Sequence, residues 1–266
     1  MNIVTRFRQL HRDASPLKLA NAWDAGSARM IESLGARAVA TTSAGVAWAM
    51  GYQDGRQLPV SEMIATVRRI IRVLSVPLSV DMENGYSDDP QTVANNVMQL
   101  VDLGVAGINI EDGHDTPSIL AAKIEAIRRA VTSSGADLFI NARCDVYLAH
   151  LVEEKMRSDE SICRGRTYAS AGADGLFLPG LAEPTVIAGV AGATQLPLNV
   201  MAWPGLPDAE TLGTLGVRRL SAGSAISQTV FGKMKALAEG FLRSGESSAV
   251  SDDAMSYADI QSLFQQ

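Results

Sequence analysis

Short apolar runs alternate along this chain with longer stretches whose apolar residues recur every three or four positions. The short runs fall at residues 17–23, 38–43, 77–83, 107–112, 138–145, 175–179, 197–202 and 218–222. Most are apolar at nearly every position rather than at every second one. That pattern predicts strands buried on both faces, as in a parallel sheet covered by helices. The stretches between them read as amphipathic helices. Residues 60–74 place Met63, Ile64, Val67, Ile70, Ile71 and Leu74 on one stripe, and residues 118–131 do the same with Ile119, Ile124, Ile127 and Val131.

Several predicted strands are preceded by a leucine or alanine and a glycine, as at Leu34-Gly35-Ala36, Leu103-Gly104-Val105 and Leu215-Gly216-Val217. A glycine there ends a helix in the left-handed conformation and feeds the next strand. Repetition of this unit over eight strands predicts an α/β chain folded as a (β/α)8 TIM barrel. The domain reading is one barrel spanning residues 1–266, with a C-terminal helical extension from about residue 226 to 266. A doubly wound open sheet is the alternative, but no Gly-x-Gly-x-x-Gly follows the first strand. The polar stretch 244–253 reads as an exposed linker before a last short helix at 254–264.

Composition narrows the partners more than the fold. A length of 266 residues with 47% hydrophobic content provides for a sizeable core. A net charge of −6 gives no electrostatic reason to expect nucleic acid or an anionic membrane. No apolar run reaches spanning length, and the first residues lack the apolar core of a signal peptide. The two cysteines, Cys144 and Cys163, have no metal-site spacing. A soluble cytoplasmic protein with reduced thiols is the expectation.

The candidate chemistry collects at the predicted strand ends, where barrel active sites lie. The run 77–83 ends in Asp81 and Glu83, two residues apart and so on one face of a strand. Paired acids ask for a cation or a proton between them, and hard oxygen ligands favour Mg2+ or Mn2+. Further strand ends give Asn109, Glu111 and Asp112, then Asn141, Arg143 and Asp145, then Asn199. Asp81, Glu83 and Glu111 form the predicted metal set, some of them acting through water. Such a metal would chelate a small α-keto acid and stabilise the enolate left when a bond at C3 breaks.

Arg143 has two readings: neutralising the substrate carboxylate or enolate, or pairing structurally with Asp145 or Glu111. Thr42, Ser43, Ala44 and Gly45 offer hydroxyls and backbone N–H groups for a carboxylate, or form only a turn. Cys144 should point away from Arg143 into the core. His114 reads as a loop residue. Gly223 and Ser224 fit a tight turn as well as a phosphate site.

Residues 16–27, 41–54, 80–86, 107–112 and 141–145 together resemble the isocitrate lyase / phosphoenolpyruvate mutase superfamily. The combination of Gly51-Tyr52-Gln53-Asp54, Asp81-x-Glu83-x-Gly85-Tyr86 and Ile110-Glu111-Asp112 carries the resemblance. It implies a (β/α)8 barrel, magnesium dependence and chemistry on an α-keto acid or enolpyruvate skeleton. It also implies a homotetramer in which the eighth helix, here 226–242, swaps between neighbouring subunits. On that pattern Asp54, Asp81, Glu83 and Glu111 line the metal site and Asp54, Glu111 and Arg143 act in catalysis. Thr42, Ser43, Ala44, Arg143 and Asn199 then bind substrate.

The chain departs from the family after residue 112. Isocitrate-cleaving members carry a Lys-Lys-Cys-Gly-His loop there, whereas this chain has Gly113-His114-Asp115-Thr116-Pro117-Ser118. The longer gating loop of the mutases and phosphonopyruvate hydrolases is also missing. A short loop suits a small substrate whose reaction needs no general acid on a lid, such as decarboxylation of oxaloacetate. The expected function is a Mg-dependent carbon–carbon lyase, oxaloacetate decarboxylase-like or 2-methylisocitrate lyase-like. The alternatives are P–C bond chemistry by the same site, and a barrel that binds a keto acid or metal without turnover.

Overall fold

Nine parallel segments wrap into one nearly closed barrel in the computed structural model, which describes residues 2–251 and 254–265. They are β1 (Leu17–Leu19), β2 (Asn21–Ala22), β3 (Val39–Thr41), β4 (Leu78–Asp81), β5 (Gly107–Glu111), β6 (Phe139–Arg143), β7 (Gly175–Leu178), β8 (Leu198–Met201) and β9 (Val217–Ser221). The order around the sheet is β1-β9-β8-β7-β6-β5-β4-β3-β2. β1 and β2 are two halves of the predicted first strand, parted at Ala20. The first half pairs with β9 and the second with β3, so one broken stave joins the two edges. The predicted eight-strand α/β barrel is therefore the observed one, with most strands trimmed by a residue or more and the last shifted one residue earlier, to Val217–Ser221.

Alternation along the strands sorts the side chains into two cores. Val80, Ile108, Ile110, Ile140, Ala142, Leu176 and Leu178 join the cluster shared with the surrounding helices. Leu17, Leu19, Ala40 and Phe139 form a second cluster with Phe7 and Leu10 from the N-terminal helix Ile3–Leu10. That helix plugs the barrel floor and leaves the opposite mouth to polar residues. Above the plug sits a polar layer. The Asn141 amide donates to Asn109 Oδ1 at 2.9 Å and to Asn199 Oδ1 at 3.1 Å. Arg219 Nη2 reaches across from β9 to Asn109 Oδ1 at 3.1 Å.

The helices start where the sequence supplies caps. Asp24, Asp89 and Asp208 each accept an N–H from the first turn they precede, and prolines open the helices Pro90–Asp102, Pro117–Ser133 and Pro184–Thr194. The predicted helices 60–74 and 118–131 appear as Val60–Ile71 and Pro117–Ser133.

The helix Ala225–Ser244 behaves differently: only Ser227 on it is buried. The predicted linker 244–253 holds a short helix, Ser248–Ser251; residues 252–253 lie outside the described residues. The last helix is Tyr257–Ser262, capped by Ser256. Beyond it the Leu263 carbonyl accepts from Arg29 Nε. No helix among the described residues is long and apolar enough to cross a membrane.

Candidate active site

The ends of β4, β5 and β6 bring Asp81, Glu111 and Arg143 to one side of the mouth. Register makes this unavoidable, since Asp81 lies level with Asn109, and Glu111 with Arg143. The Asp81 backbone N–H donates to Thr41 Oγ1 at 2.9 Å. Its Oδ2 accepts from the Ser43 N–H at 3.3 Å, while Oδ1 is buried without a partner. A buried carboxylate oxygen left bare is costly unless something absent from the chain satisfies it.

Glu83 reaches the site by a route that strand alternation does not predict. β4 ends at Asp81, and Glu83 sits beyond it in a turn with φ 47°, in the left-handed region. The turn closes through the Gly85 N–H to the Met82 carbonyl at 2.8 Å. Gly85 has φ 95°, and a Cβ there would stand 2.5 Å from Val93 Cγ1. Lys123, buried in the helix Pro117–Ser133, holds the turn from below by donating to the Asn84 carbonyl at 2.9 Å. Glu83 is buried, with Oε1 accepting from the Tyr86 hydroxyl at 2.9 Å and Oε2 from the Arg56 N–H. The second bond pins the loop 51–58 to the mouth. Asp54 on that loop is exposed, and its charge contributes to Glu83's environment.

The electrostatics are those of an under-neutralised acidic pocket. Burial pushes the Glu83 carboxyl up, the Tyr86 bond pulls it back and Asp81 pushes it up again. Burial also raises Glu111 against the pull of Arg143, with Asp81, Asp145 and Glu83 adding to the rise. Asp145 is raised by burial and lowered by Arg143. Burial opposes the charge on Arg143, but Glu111, Asp145 and Asp81 outweigh it and keep the guanidinium ionised. Arg143 Nη1 lies 2.5 Å from Glu111 Oε2, and its Nε and Nη2 donate to Asp145 at 2.7 and 3.0 Å. One arginine thus faces several carboxylates, and each raised acid is asking for a proton or a cation.

Among the described residues no three His, Cys, Asp or Glu side chains close into a cage that could hold an ion alone. The predicted set Asp81, Glu83 and Glu111 is accordingly gathered but open. Asp81 Oδ1 is buried and bare, and Glu111 Oε2 is buried with no hydrogen bond, its one contact being the ion pair with Arg143. Glu83 has both oxygens occupied, and Glu111 faces Arg143. An all-oxygen donor set of this kind suits a small, hard divalent cation that keeps several waters.

Thr42 stands at the N-cap position of the helix Ser43–Ala49 without a side-chain cap bond, and the helix delivers the Ser43 N–H to Asp81. Gly45 lets that helix approach: a Cβ there would meet Thr42 Cγ2 at 2.7 Å and Trp23 Cβ at 3.0 Å. Thr42 and Ala44 are buried beside this contact. Asn199 lies deeper, in the polar layer, its amide donating to the Val200 carbonyl at 2.7 Å and to Ser221 Oγ at 3.2 Å. Asp112 faces away from the mouth. Cys144 is fully buried in the core and its thiol is raised by burial, as its position after Arg143 implies.

Two residues escaped the sequence reading. Phe177 is level with Arg143 across the β6–β7 pair and is buried. The signal was the alternation along β7, hidden because both faces of that strand are apolar. Arg219 lies inside the barrel, 1% exposed, and burial pulls its pKa down to about 9. It was legible only as one of two adjacent arginines on a predicted strand.

A nearly closed parallel barrel with an acidic, arginine-anchored mouth places the chain among the TIM-type α/β barrels. The chain belongs to the phosphoenolpyruvate phosphomutase family, whose model matches residues 7–242, within the PEP mutase/isocitrate lyase superfamily. It is 38% identical over 222 residues to an uncharacterized protein of Mycobacterium tuberculosis, covering 82% of this chain and 81% of that one. It is 31% identical over 245 residues to an oxaloacetate decarboxylase of Paraburkholderia xenovorans, covering 87% and 79%. Among solved structures, 2,3-dimethylmalate lyase superposes with a TM-score of 0.87 at 25% identity, covering 99% of this chain and 95% of that one.

Proposed function

We propose that this protein is a carbon–carbon lyase that acts on a small α-keto acid, with decarboxylation of an oxaloacetate-type substrate as the reaction best supported. The observation that carries the reading is the bare, buried Asp81 Oδ1 facing a mouth with too few positive charges. The likeness to an oxaloacetate decarboxylase supports the same choice.

A bound Mg2+ or Mn2+ would supply a Lewis acid for the keto and carboxylate oxygens of the substrate. Asp81 would hold that ion, with Glu83 and Glu111 as the acids beside it. Ser43 fixes the Asp81 carboxylate through its N–H and so keeps Oδ1 turned to the mouth. Thr42, Ser43 and Ala44 receive the substrate carboxylate. Arg143 stays ionised and offsets the negative charge that grows on the keto oxygen as the C3–C4 bond breaks. The electron pair of that bond becomes the enolate, carbon dioxide leaves, and a proton from water returns to C3.

The test is metal-dependent pyruvate release scanned over oxaloacetate, 2-methylisocitrate and phosphonopyruvate. Release from oxaloacetate supports the reading. Release from phosphonopyruvate alone would move the protein to the P–C chemistry for which its family is named. No release, with metal still raising the melting temperature, would make it a binding barrel.

A second copy of this chain is the proposed partner of the helix Ala225–Ser244. Ile226, Val230, Phe231, Met234, Leu237, Phe241 and Leu242 are all exposed on it. So much uncovered apolar surface on one helix marks an interface, in keeping with the helix-swapped tetramer.

A further inference from the structure

Arg143 is held by a run of buried polar contacts that begins outside the barrel, on the helix Arg157–Ala171. We infer that Asp112, Arg164 and Tyr168 are positioning residues for Arg143. Their effect on substrate rests on the reading of Arg143 as a substrate contact; their effect on the guanidinium does not.

Alternation at the end of β5 sends Glu111 into the mouth and Asp112 toward the helix layer. There Asp112 is 1% exposed, where a lone carboxylate is not tolerated. Arg164 Nη1 donates to its Oδ2 at 2.8 Å, and the Tyr168 hydroxyl donates to the same oxygen. Glu160, Arg164 and Tyr168 recur every four residues, so they share one helix face. Glu160 Oε1 accepts from Arg164 Nε at 2.7 Å and fixes the guanidinium that fixes Asp112. Those contacts alone would be a buried ion pair and nothing more.

What lies on the other side of Asp112 gives the pair a second task. Its Oδ1 accepts from the Asp145 N–H at 2.8 Å, and its own N–H donates to the Arg143 carbonyl at 3.2 Å. Asp112 therefore grips the chain on both sides of Cys144. The Asp145 carboxylate, whose backbone is set by that grip, makes the two parallel bonds to Arg143 Nε and Nη2. With Nη1 on Glu111, the guanidinium plane is fixed at three points. A shift of the helix face would reach Arg143 through Asp112 and Asp145 in turn.

The experiment uses the full chain and the mild variant Tyr168→Phe, with Arg164→Lys as a second. Three quantities are read: hydrogen exchange of the Arg143 Nε–H by NMR without ligand, the Kd for oxalate in saturating Mg2+, and the urea midpoint. Exchange is expected to speed up at least tenfold in both variants. The oxalate Kd is expected to rise about tenfold, with no further rise when Tyr168→Phe is placed on Arg143→Lys. A lower urea midpoint with unchanged Arg143 Nε–H exchange would overturn the inference and leave the network a stability element. Faster exchange in a protein that does not bind oxalate even as wild type would uphold the positioning and retire the carboxylate reading of the site.

Discussion

Asp81 and His11 are the residues whose local chemistry makes the sharpest demands. Asp81 has one oxygen tied to Ser43 and one bare in a buried site. Asp81→Ala removes a charge that the fold leaves unsatisfied, so folding stability should change by no more than about 1 kcal/mol in either direction. Thermal scans with and without Mn2+ should lose the metal-induced rise in melting temperature, and turnover should vanish. Retained turnover would sink the metal assignment. His11 tests the barrel floor. It stacks on Phe139 at 4.2 Å between centroids, and its Nδ1 meets the Phe7 carbonyl at 2.9 Å. That contact assigns the proton to Nδ1 and leaves Nε2 as a lone pair. Burial pulls the His11 pKa down from 6.5 to about 3, and the Arg219 charge pushes the same way. The folded state thus refuses a proton that the unfolded chain accepts below pH 6.5. The His11 contribution is complete above that pH and is lost on acidification toward pH 3, at a scale on the order of 4 kcal/mol. Glu83, Glu111 and Asp145 act with the opposite sign, because their raised carboxyls take up protons more readily in the folded state. Urea midpoints of wild type and His11→Gln should therefore converge as the pH falls from 7 to 4. A constant gap would contradict the buried neutral imidazole.

At the scale of elements, the strands were legible and the segments that leave them were not. Apolar runs located every strand, because a parallel sheet covered on both faces has no solvent side to interrupt the pattern. The turn after β4 is the instructive miss. Period two placed Glu83 on the face of Asp81, yet the strand had ended and a left-handed turn brought the carboxylate back instead. That turn and the loop 51–58 are coupled through the Arg56 N–H on Glu83. Glu83→Ala should release the loop, and trypsin should cut after Arg56 several-fold faster than in wild type. Equal cleavage rates, read by mass spectrometry of the fragments, would mean that the loop is held by something else. Tyr86→Phe should show the weaker form of the same effect, since it leaves the Arg56 bond in place.

For the molecule as a whole, the unresolved balance is an apolar one. The helix Ala225–Ser244 buries only Ser227, although its apolar residues are spaced to face a neighbour. Each such side chain gains roughly 1.5–3 kcal/mol when fully covered. Sedimentation should find the wild-type chain as an oligomer, and the pair Met234→Glu and Phe241→Glu should shift it toward monomer without unfolding the barrel. A monomeric wild type would remove the basis for the helix-swapped tetramer. By itself the sequence determined the barrel, the strand ends and the identity of the acids and the arginine gathered there. These follow from periodicity and from the rule that charge avoids a sheet core unless it has a task. Only the tertiary structure decided how those charges divide their work. It bared Asp81, tied Glu83 to a loop, turned Asp112 outward to brace Arg143 and set a buried Phe177 level with Arg143. The reason is physical: alternation and spacing state which face a residue occupies, but partners 27 to 56 positions away in the chain decide which of its atoms are satisfied.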